Sequence, residues 1–320
     1  MLRYIARRIL WAIAMLFIVS GAIFLIFYVL PSADPAVLRA GRNADTQQIE
    51  KIRHSLGLDQ PIYAQYALYM RQVFLHFDFG YSYQYDVPVR QLILSRLPAT
   101  TWLVVGAMII WLAVGLSVGI VSAVKRRSVT DRVSMTLSLA FISAPTFWLG
   151  LVSMYLFADD IGRWKLLPGQ GAFAVATTIP QKAAAMILPW LILAATSAAA
   201  YARYMRASMT DTMGEDYIVT ARAKGLPESA VILRHGVRSA ITPIVTIVGL
   251  DVGTLLAGNA VLTETVFNIP GLGRLLYQAI SVSDLTTIQG VTLFGSFFIV
   301  FFNLVVDIGY AYLDPRVRYS

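Results

Sequence analysis

Cysteine is absent from this 320-residue chain, which excludes disulfide bridges, thiolate metal sites and a cysteine nucleophile. Histidine is nearly absent. His54, His76 and His235 are scattered, and three such residues argue against a catalytic metal centre. Charge is scarce too, at 14% of residues, where a soluble protein carries about 25%. No G-x-x-x-x-G-K-[ST] phosphate loop occurs. GLGR at 271–274 lacks the lysine and the preceding strand, so the chain has no means of hydrolysing ATP alone.

Apolar residues make up 57% of the chain, and their runs are long enough to place it among polytopic membrane proteins. A helix needs about 20 residues to cross a hydrocarbon core of ~30 Å. Six runs qualify, at 9–30, 99–124, 133–158, 184–207, 240–262 and 285–313. They are too long and too uniformly apolar for the alternating strands of a barrel. The expected fold is therefore all-α, a polytopic membrane protein with six transmembrane helices. The opening MLRYIARRILWAIAML has the basic start of a signal peptide, but its apolar run continues to Leu30 without a small-residue cleavage site. A retained first span is expected.

The basic residues orient the spans. Arg3, Arg7, Arg8, the cluster Lys125, Arg126, Arg127 and Arg132, then Arg203, Arg206, Arg222, Lys224, Arg234 and Arg238, and finally Arg316 and Arg318, fall on one side. The short loops of the opposite side hold only Arg163, Lys165, Lys182 and Arg274. By the positive-inside rule both termini are cytoplasmic. The net charge of +8 is thus mostly an orientation signal, and nucleic acid is not an expected partner. Three regions follow: 1–31, the N-terminal end and first span; 32–98, a small extracytoplasmic segment between the first two spans; and 99–320, a five-helix core with a cytoplasmic loop at 209–239. In the middle region a helix is expected from Asp45 or Thr46 to a stop at Gly57, and a second from Pro61 to about His76. The alternation at 81–85 suggests a short extended piece.

The stretch GEDYIVTARAKGLPESAVILRHGVRSAITP, from Gly214 to Pro243, is basic and helix-forming between two apolar runs. Glu215 and Asp216 suit a helix N-terminus, and Arg222 and Lys224 its C-terminus. Gly225 can take the left-handed conformation that ends helices, and Pro227 suits the first turn of the next. That second helix is expected to run through Arg234 and Arg238 into the fifth span, with a kink at Pro243. The first presents Tyr217, Ala221 and Lys224 along one side, a face suited to a partner's groove. The other reading of the same residues is an interfacial helix lying on anionic lipid.

This stretch closely resembles the signature loop of ABC-transporter permease subunits, in the form used by the dipeptide/oligopeptide importers that depend on a binding protein. LGLDQPIYAQY at 56–66, DFGYS at 78–82, RLPAT at 96–100, SAPTFWLGL at 143–151, ETVFNIPGLG at 264–273 and LDPRVR at 313–318 agree, so the resemblance spans essentially the whole chain. It implies a multi-pass subunit of a prokaryotic cell membrane that forms half of a pore and catalyses no reaction. It implies a second homologous permease, two ATP-binding subunits that hold ATP and magnesium, and an extracytoplasmic solute-binding protein delivering peptide. This chain itself would bind no cofactor. It also implies that the loop helix is a coupling helix, a role that falls on Tyr217, Ala221, Arg222, Ala223, Lys224 and Gly225. The chain departs from the general Glu-Ala-Ala pattern with Val219, Thr220 and Ala221, as peptide-branch members do. Asn259 and the Leu285-Thr286 pair after Asp284 are atypical and leave cargo open among peptides, glutathione, nickel chelates and oligosaccharides.

A carrier driven by an ion gradient would need a relay of buried ionisable groups. Of the carboxylates and histidines only Asp251 and Asp307 lie inside the spans. Asp251 is near the middle of the fifth, where a carboxylate costs about 2.5–3.5 kcal/mol against lipid. Gly249, Gly253 and Ala257 form a small-residue stripe suited to helix packing, and Asp251 lies about 200° from it. Two readings follow for Asp251: a group lining the pathway and attracting a peptide ammonium, or a hydrogen-bonded structural aspartate. Gly115 and Gly119, the alanine run 194–202 and a solvated His235 are read as packing or surface features. Two readings stay open for Tyr81, Tyr83 and Tyr85: contact with a delivery protein or substrate outside, or aromatic packing at the membrane interface.

Overall fold

In a run of apolar residues the backbone amides have no partners but one another, and a helix satisfies them all within the segment. The computed structural model describes residues 2–30, 36–37, 45–55, 57–82 and 84–313. Helix α1 (Leu2–Phe24) ends in a wide turn at Leu25–Val29; α2 (Thr46–Ser55) and α3 (Ile62–His76) follow. A two-strand hairpin pairs β1 (Tyr81–Ser82) with β2 (Val87–Pro88), antiparallel, with Ser82 opposite Val87. Next come α4 (Val89–Val124), α5 (Val129–Ser143), α6 (Thr146–Phe157) and α7 (Ile179–Thr212). The remaining helices are α8 (Asp216–Ala223), α9 (Thr242–Thr254), α10 (Val261–Val266), α11 (Leu272–Ser281) and α12 (Leu285–Leu313). The LDPRVR motif lies outside the described residues beyond Leu313.

Five of the six expected spans are helices long and apolar enough to cross a membrane. The sixth, over 133–158, is not one straight helix: α5 and α6 meet at a bend of 99°, a broken span or a re-entrant loop, so the described residues hold five spans or six. The cause is local. Pro145 cannot donate a backbone hydrogen bond and drives Ala144 into extended conformation, ψ 127°, which ends α5. The fifth span also departs from a plain helix, because α9 gives way at Leu255–Asn259 to a wide turn in which Gly258 has φ 103°.

The chain divides into two compact units. The first holds residues 1–100, 253–261 and 270–304. Its core joins α1 to α3 through Ile23, Phe24, Tyr69 and Val73 with Leu293 of α12, and joins the start of α4 to α11 and α12 through Val89, Ile93, Leu272, Leu275 and Val291. The α3 helix and the hairpin therefore share their core with long apolar helices, whereas α2 packs in a small cluster of its own with Ala36, Ile49, Ile52 and Leu58. The helix stop at Gly57 (φ 64°) and the Pro61 cap of α3 are where the sequence places them. Tyr81 donates to Asp86 (2.7 Å), Tyr85 packs on the second of these clusters, and Tyr83 lies outside the described residues. Burial, reinforced by the nearby Asp284 charge and opposed by Arg96, raises the Tyr85 phenol above its usual pKa. Asp284 caps α12, taking the Thr287 N–H (3.1 Å) and hydroxyl (2.7 Å) and the Ser82 hydroxyl.

The second unit holds 101–252, 262–269 and 305–320. In it α4 and α7 approach closely at Gly115 and Gly119, where a Cβ would stand 2.8 Å from the Ala198 carbonyl and 2.7 Å from that of Ala202. The glycine pair and the alanine run are thus one packing seam, with Ala198 and Ala202 buried in it.

Candidate functional site

The loop after α7 folds as a small platform. Helix α8 is flanked by Glu215, which stands in extended conformation as its N-cap, and by Lys224 as its C-cap. Gly225 follows with φ 76° and no heavy atom within 4 Å of where a Cβ would stand, so conformation alone selects glycine. Pro227 caps a three-residue helix at Glu228–Ala230. The expected helix from Pro227 runs through Arg234 and Arg238 into the fifth span, but it is not uniform. It opens into wide, π-helical turns at Val231–Val237, tightens at Arg238–Ala240 and passes Ile241 before α9 begins with Pro243 in its first turn. His235 is half-buried on the wide turns rather than solvated.

Burial separates the two faces of α8. Ile218 (0% exposed) and Ala221 (6%) close over Val231 and Met213. Tyr217 (43%) and Val219 (58%) face out, together with Arg222, Ala223, Lys224 and Gly225. The expectation that Ala221 is displayed beside Tyr217 and Lys224 is therefore corrected. Ala221 lies three residues after Ile218 and shares its inward stripe, so it shapes the outer face from beneath. Five of the six residues expected at a docking surface remain exposed. Arg222 and Glu228 bridge the turn with two bonds of 3.1 and 2.7 Å. The pairing raises the Arg222 pKa and lowers that of Glu228.

Two contacts carry the platform into the bundle. Ser208 of α7 donates to the Ala240 carbonyl (2.8 Å), tying the two chain ends that flank the loop. Two turns before α7 ends, Arg206 grips Asp131 of α5 with bonds of 2.6 and 2.8 Å. Asp131 also accepts the Ser122 hydroxyl of α4 (2.7 Å) and the Arg127 N–H (2.9 Å). One buried carboxylate thus fastens α4, the 125–128 turn, α5 and α7. The sequence reading used Arg206 only for orientation and passed over Asp131. The signal was there: a lone carboxylate amid Lys125, Arg126, Arg127 and Arg132. Ile218 and Val231, apolar residues in a polar stretch, likewise signalled an inner face.

Asp251 of α9 accepts the Tyr201 hydroxyl of α7 (2.8 Å) and is half-buried. The stripe residue Gly253 packs against Phe302 and Ile299 of α12, and Ala257 against Gly295. The small stripe is thus the packing face, and Asp251 turns to α7 instead. No group of three or more histidines and carboxylates able to hold a metal occurs among the described residues.

An apolar helical chain with a basic, two-faced platform tied to its long helices calls for comparison with known transport subunits. One family model, described as the inner membrane component of binding-protein-dependent transport systems, matches residues 115–319, and its N-terminal companion matches 1–104. The chain belongs to the binding-protein-dependent ABC permeases. Among its relatives are the glutathione transport system permease proteins GsiC of Escherichia coli, Shigella dysenteriae and Salmonella choleraesuis. Each is 44% identical over 320 residues, covering 100% of both chains. Such a permease is a multi-pass membrane subunit and no enzyme. It works with a solute-binding protein, a second permease and ATP-binding subunits that hydrolyse the ATP.

Proposed function

We propose that this permease imports small peptides, glutathione among them, and that the outer face of α8 is where a cytoplasmic ATP-binding subunit grips it. The two-faced burial of α8 carries this reading. An apolar pad under Ile218 and Ala221 holds an exposed row of Tyr217, Val219, Arg222 and Lys224 whose side chains do not fill the platform's own core. A large amphipathic membrane anchor would put bulky apolar residues outward along the whole face, and here the outward apolar residues are only Tyr217, Val219 and Ala223. The basic residues support placing this loop and both termini in the cytoplasm. The full-length likeness to glutathione permeases supports the cargo class.

In operation, two ATP-binding subunits closing on ATP displace α8 on this permease and its counterpart on the second. The platform then moves α7 and α9 through its flanking ties, and the pore alternates between inward- and outward-open states by differential binding of the partners. Asp251, steadied by Tyr201, contributes to the pathway by favouring cationic groups of the cargo. Equal uptake of cationic and neutral peptides by wild type and Asp251→Asn removes that contribution.

The whole reading is tested by uptake of labelled glutathione and dipeptides into proteoliposomes holding both permeases and the ATP-binding subunits. The binding protein is supplied on one side and ATP on the other. Accumulation that requires ATP and survives a proton uncoupler is expected. Accumulation without ATP that the uncoupler abolishes overturns it.

A further inference from the structure

The break in α9 opens a cavity within the first compact unit. Helical hydrogen bonding gives way to wide turns at Leu255–Asn259, and Gly258 leaves the helical region altogether at φ 103°. Its carbonyl lies against α11, where a Cβ on Gly273 would stand 2.3 Å from it. Irregular backbone at membrane depth is tolerated where it is packed in protein or lines a water-filled space, and discontinuous helices of this sort form the sites of many transporters. Both conditions meet here. Behind the Gly258–Gly273 crossing lies a cavity of about 460 Å³, within the ~300–1,000 Å³ range of small-molecule sites.

The lining has a defined chemistry. Asn259 sits exposed at the break, and Thr292 and Ser296 stand two and three turns into α12, roughly 10 and 16 Å along it at 1.5 Å per residue. The Thr292 hydroxyl gives its proton to the Ile288 carbonyl (2.7 Å) and Ser296 gives its own to the Thr292 carbonyl (2.8 Å). With their protons committed, both oxygens face a ligand as acceptors. Asn259 supplies a donor and an acceptor together. Thr254 and Tyr277 add further hydroxyls, Ile280 and Ile299 add apolar wall, and among the described residues no charged side chain lines the cavity.

Uncharged hydroxyls beside one amide, set among apolar side chains, match the N–H and C=O groups of a peptide backbone. We propose that this cavity is a cargo-contact site of the permease, in which Asn259, Thr292 and Ser296 read the amides of a short peptide without reading its charge. The proposal rests on the peptide reading above. It makes Asn259 a specificity determinant, since a carboxylate there would add the charge that the site lacks.

The test uses the assembled transporter with its binding protein and ATP-binding subunits. In Asn259→Asp, uptake of anionic glutathione relative to an uncharged tripeptide is expected to fall about tenfold by like-charge repulsion. Ser296→Cys introduces the sole thiol of this chain. A water-soluble methanethiosulfonate is expected to modify it, and saturating cargo to slow that modification severalfold. An unchanged uptake ratio, or modification at the same rate with and without cargo, overturns the proposal. A thiol inert in the assembled transporter also overturns it and assigns the cavity to contact with the second permease or lipid. If wild type carries neither glutathione nor the tripeptide, the peptide reading fails by itself. Thiol protection by whatever solute the binding protein delivers then still decides whether cargo enters this cavity.

Discussion

Arg206 meets Asp131 and Arg222 meets Glu228 with the same two-bonded fork, yet the surroundings of the two pairs are opposite. The Asp131 side chain is 5% exposed and gathers two further donors, whereas Arg222 and Glu228 are 43% and 53% exposed and hold only each other. A buried carboxylate that holds four hydrogen bonds cannot be removed without stranding its donors, even though the Arg206 side chain is itself 29% exposed. An exposed pair exchanges its partner for solvent at little cost. The first therefore fixes the corner where α4, α5 and α7 meet, and the second only trims the turn after α8. A surface that another protein must grip and release is built in this way. Its shape is set from beneath by Ile218, Ala221 and Val231, and its outer polar groups remain available for exchange.

The sharpest way to break the comparison is at the buried end. Asp131→Ala leaves the Arg206 guanidinium, the Ser122 hydroxyl and the Arg127 N–H without their acceptor, and is expected to cost about 3 kcal/mol. Thermal unfolding of the purified complex measures it, and a midpoint equal to wild type would remove the corner's structural role. Next is Ala221→Leu, which forces extra methylenes into the pad between α8 and Val231. Overpacking of this kind costs about 1–3 kcal/mol and lifts the outer face, so coupled ATP hydrolysis is expected to fall with stability. A variant as stable and as active as wild type would mean that the pad is loosely packed.

Gly225→Ala comes third. Space is free around the position, so the cost is that of placing a Cβ at φ 76°, about 1 kcal/mol. Hydrogen exchange over residues 221–230 should quicken there and nowhere else. The smallest effect belongs to Glu228→Gln, for which no shift of the unfolding midpoint is expected. The pH dependence of this exposed pair has a definite sign. Because Arg222 lowers the Glu228 pKa, the tie is present above the ordinary glutamate range and is lost as pH falls through the lowered value. Exchange in the turn should rise only in that acid window, and added salt should mimic it. A rise beginning near neutral pH would contradict the assignment.

The sequence was most legible where one physical effect acts alone. Uninterrupted apolar runs became α1, α4, α7 and α12, and Gly225 with Pro227 ended one helix and opened the next as their backbone preferences dictate. It was least legible where distant residues cooperate. Asp131 and Arg206 meet through tertiary packing that hydropathy does not encode. Ala221 is small enough to fit either face of α8, and only the position of Val231 decides which. The bend at Pro145 lay within reach, since the residue before a proline resists helix. A run of apolar residues long enough to span concealed it.

The outer face of α8 carries the proposed coupling to the ATP-binding subunits. The decisive measurement is transport-coupled ATP hydrolysis by the reconstituted transporter carrying Tyr217→Ala with Lys224→Glu. Both changes lie on the exposed face and leave the Ile218–Ala221–Val231 pad intact. The unfolding midpoint is expected to stay at the wild-type value while cargo-stimulated hydrolysis and uptake fall at least about tenfold, the loss of a contact worth ~1.4 kcal/mol or more. Wild-type coupling in that variant, at wild-type stability, would contradict the assignment of this face as the place where the permease is driven.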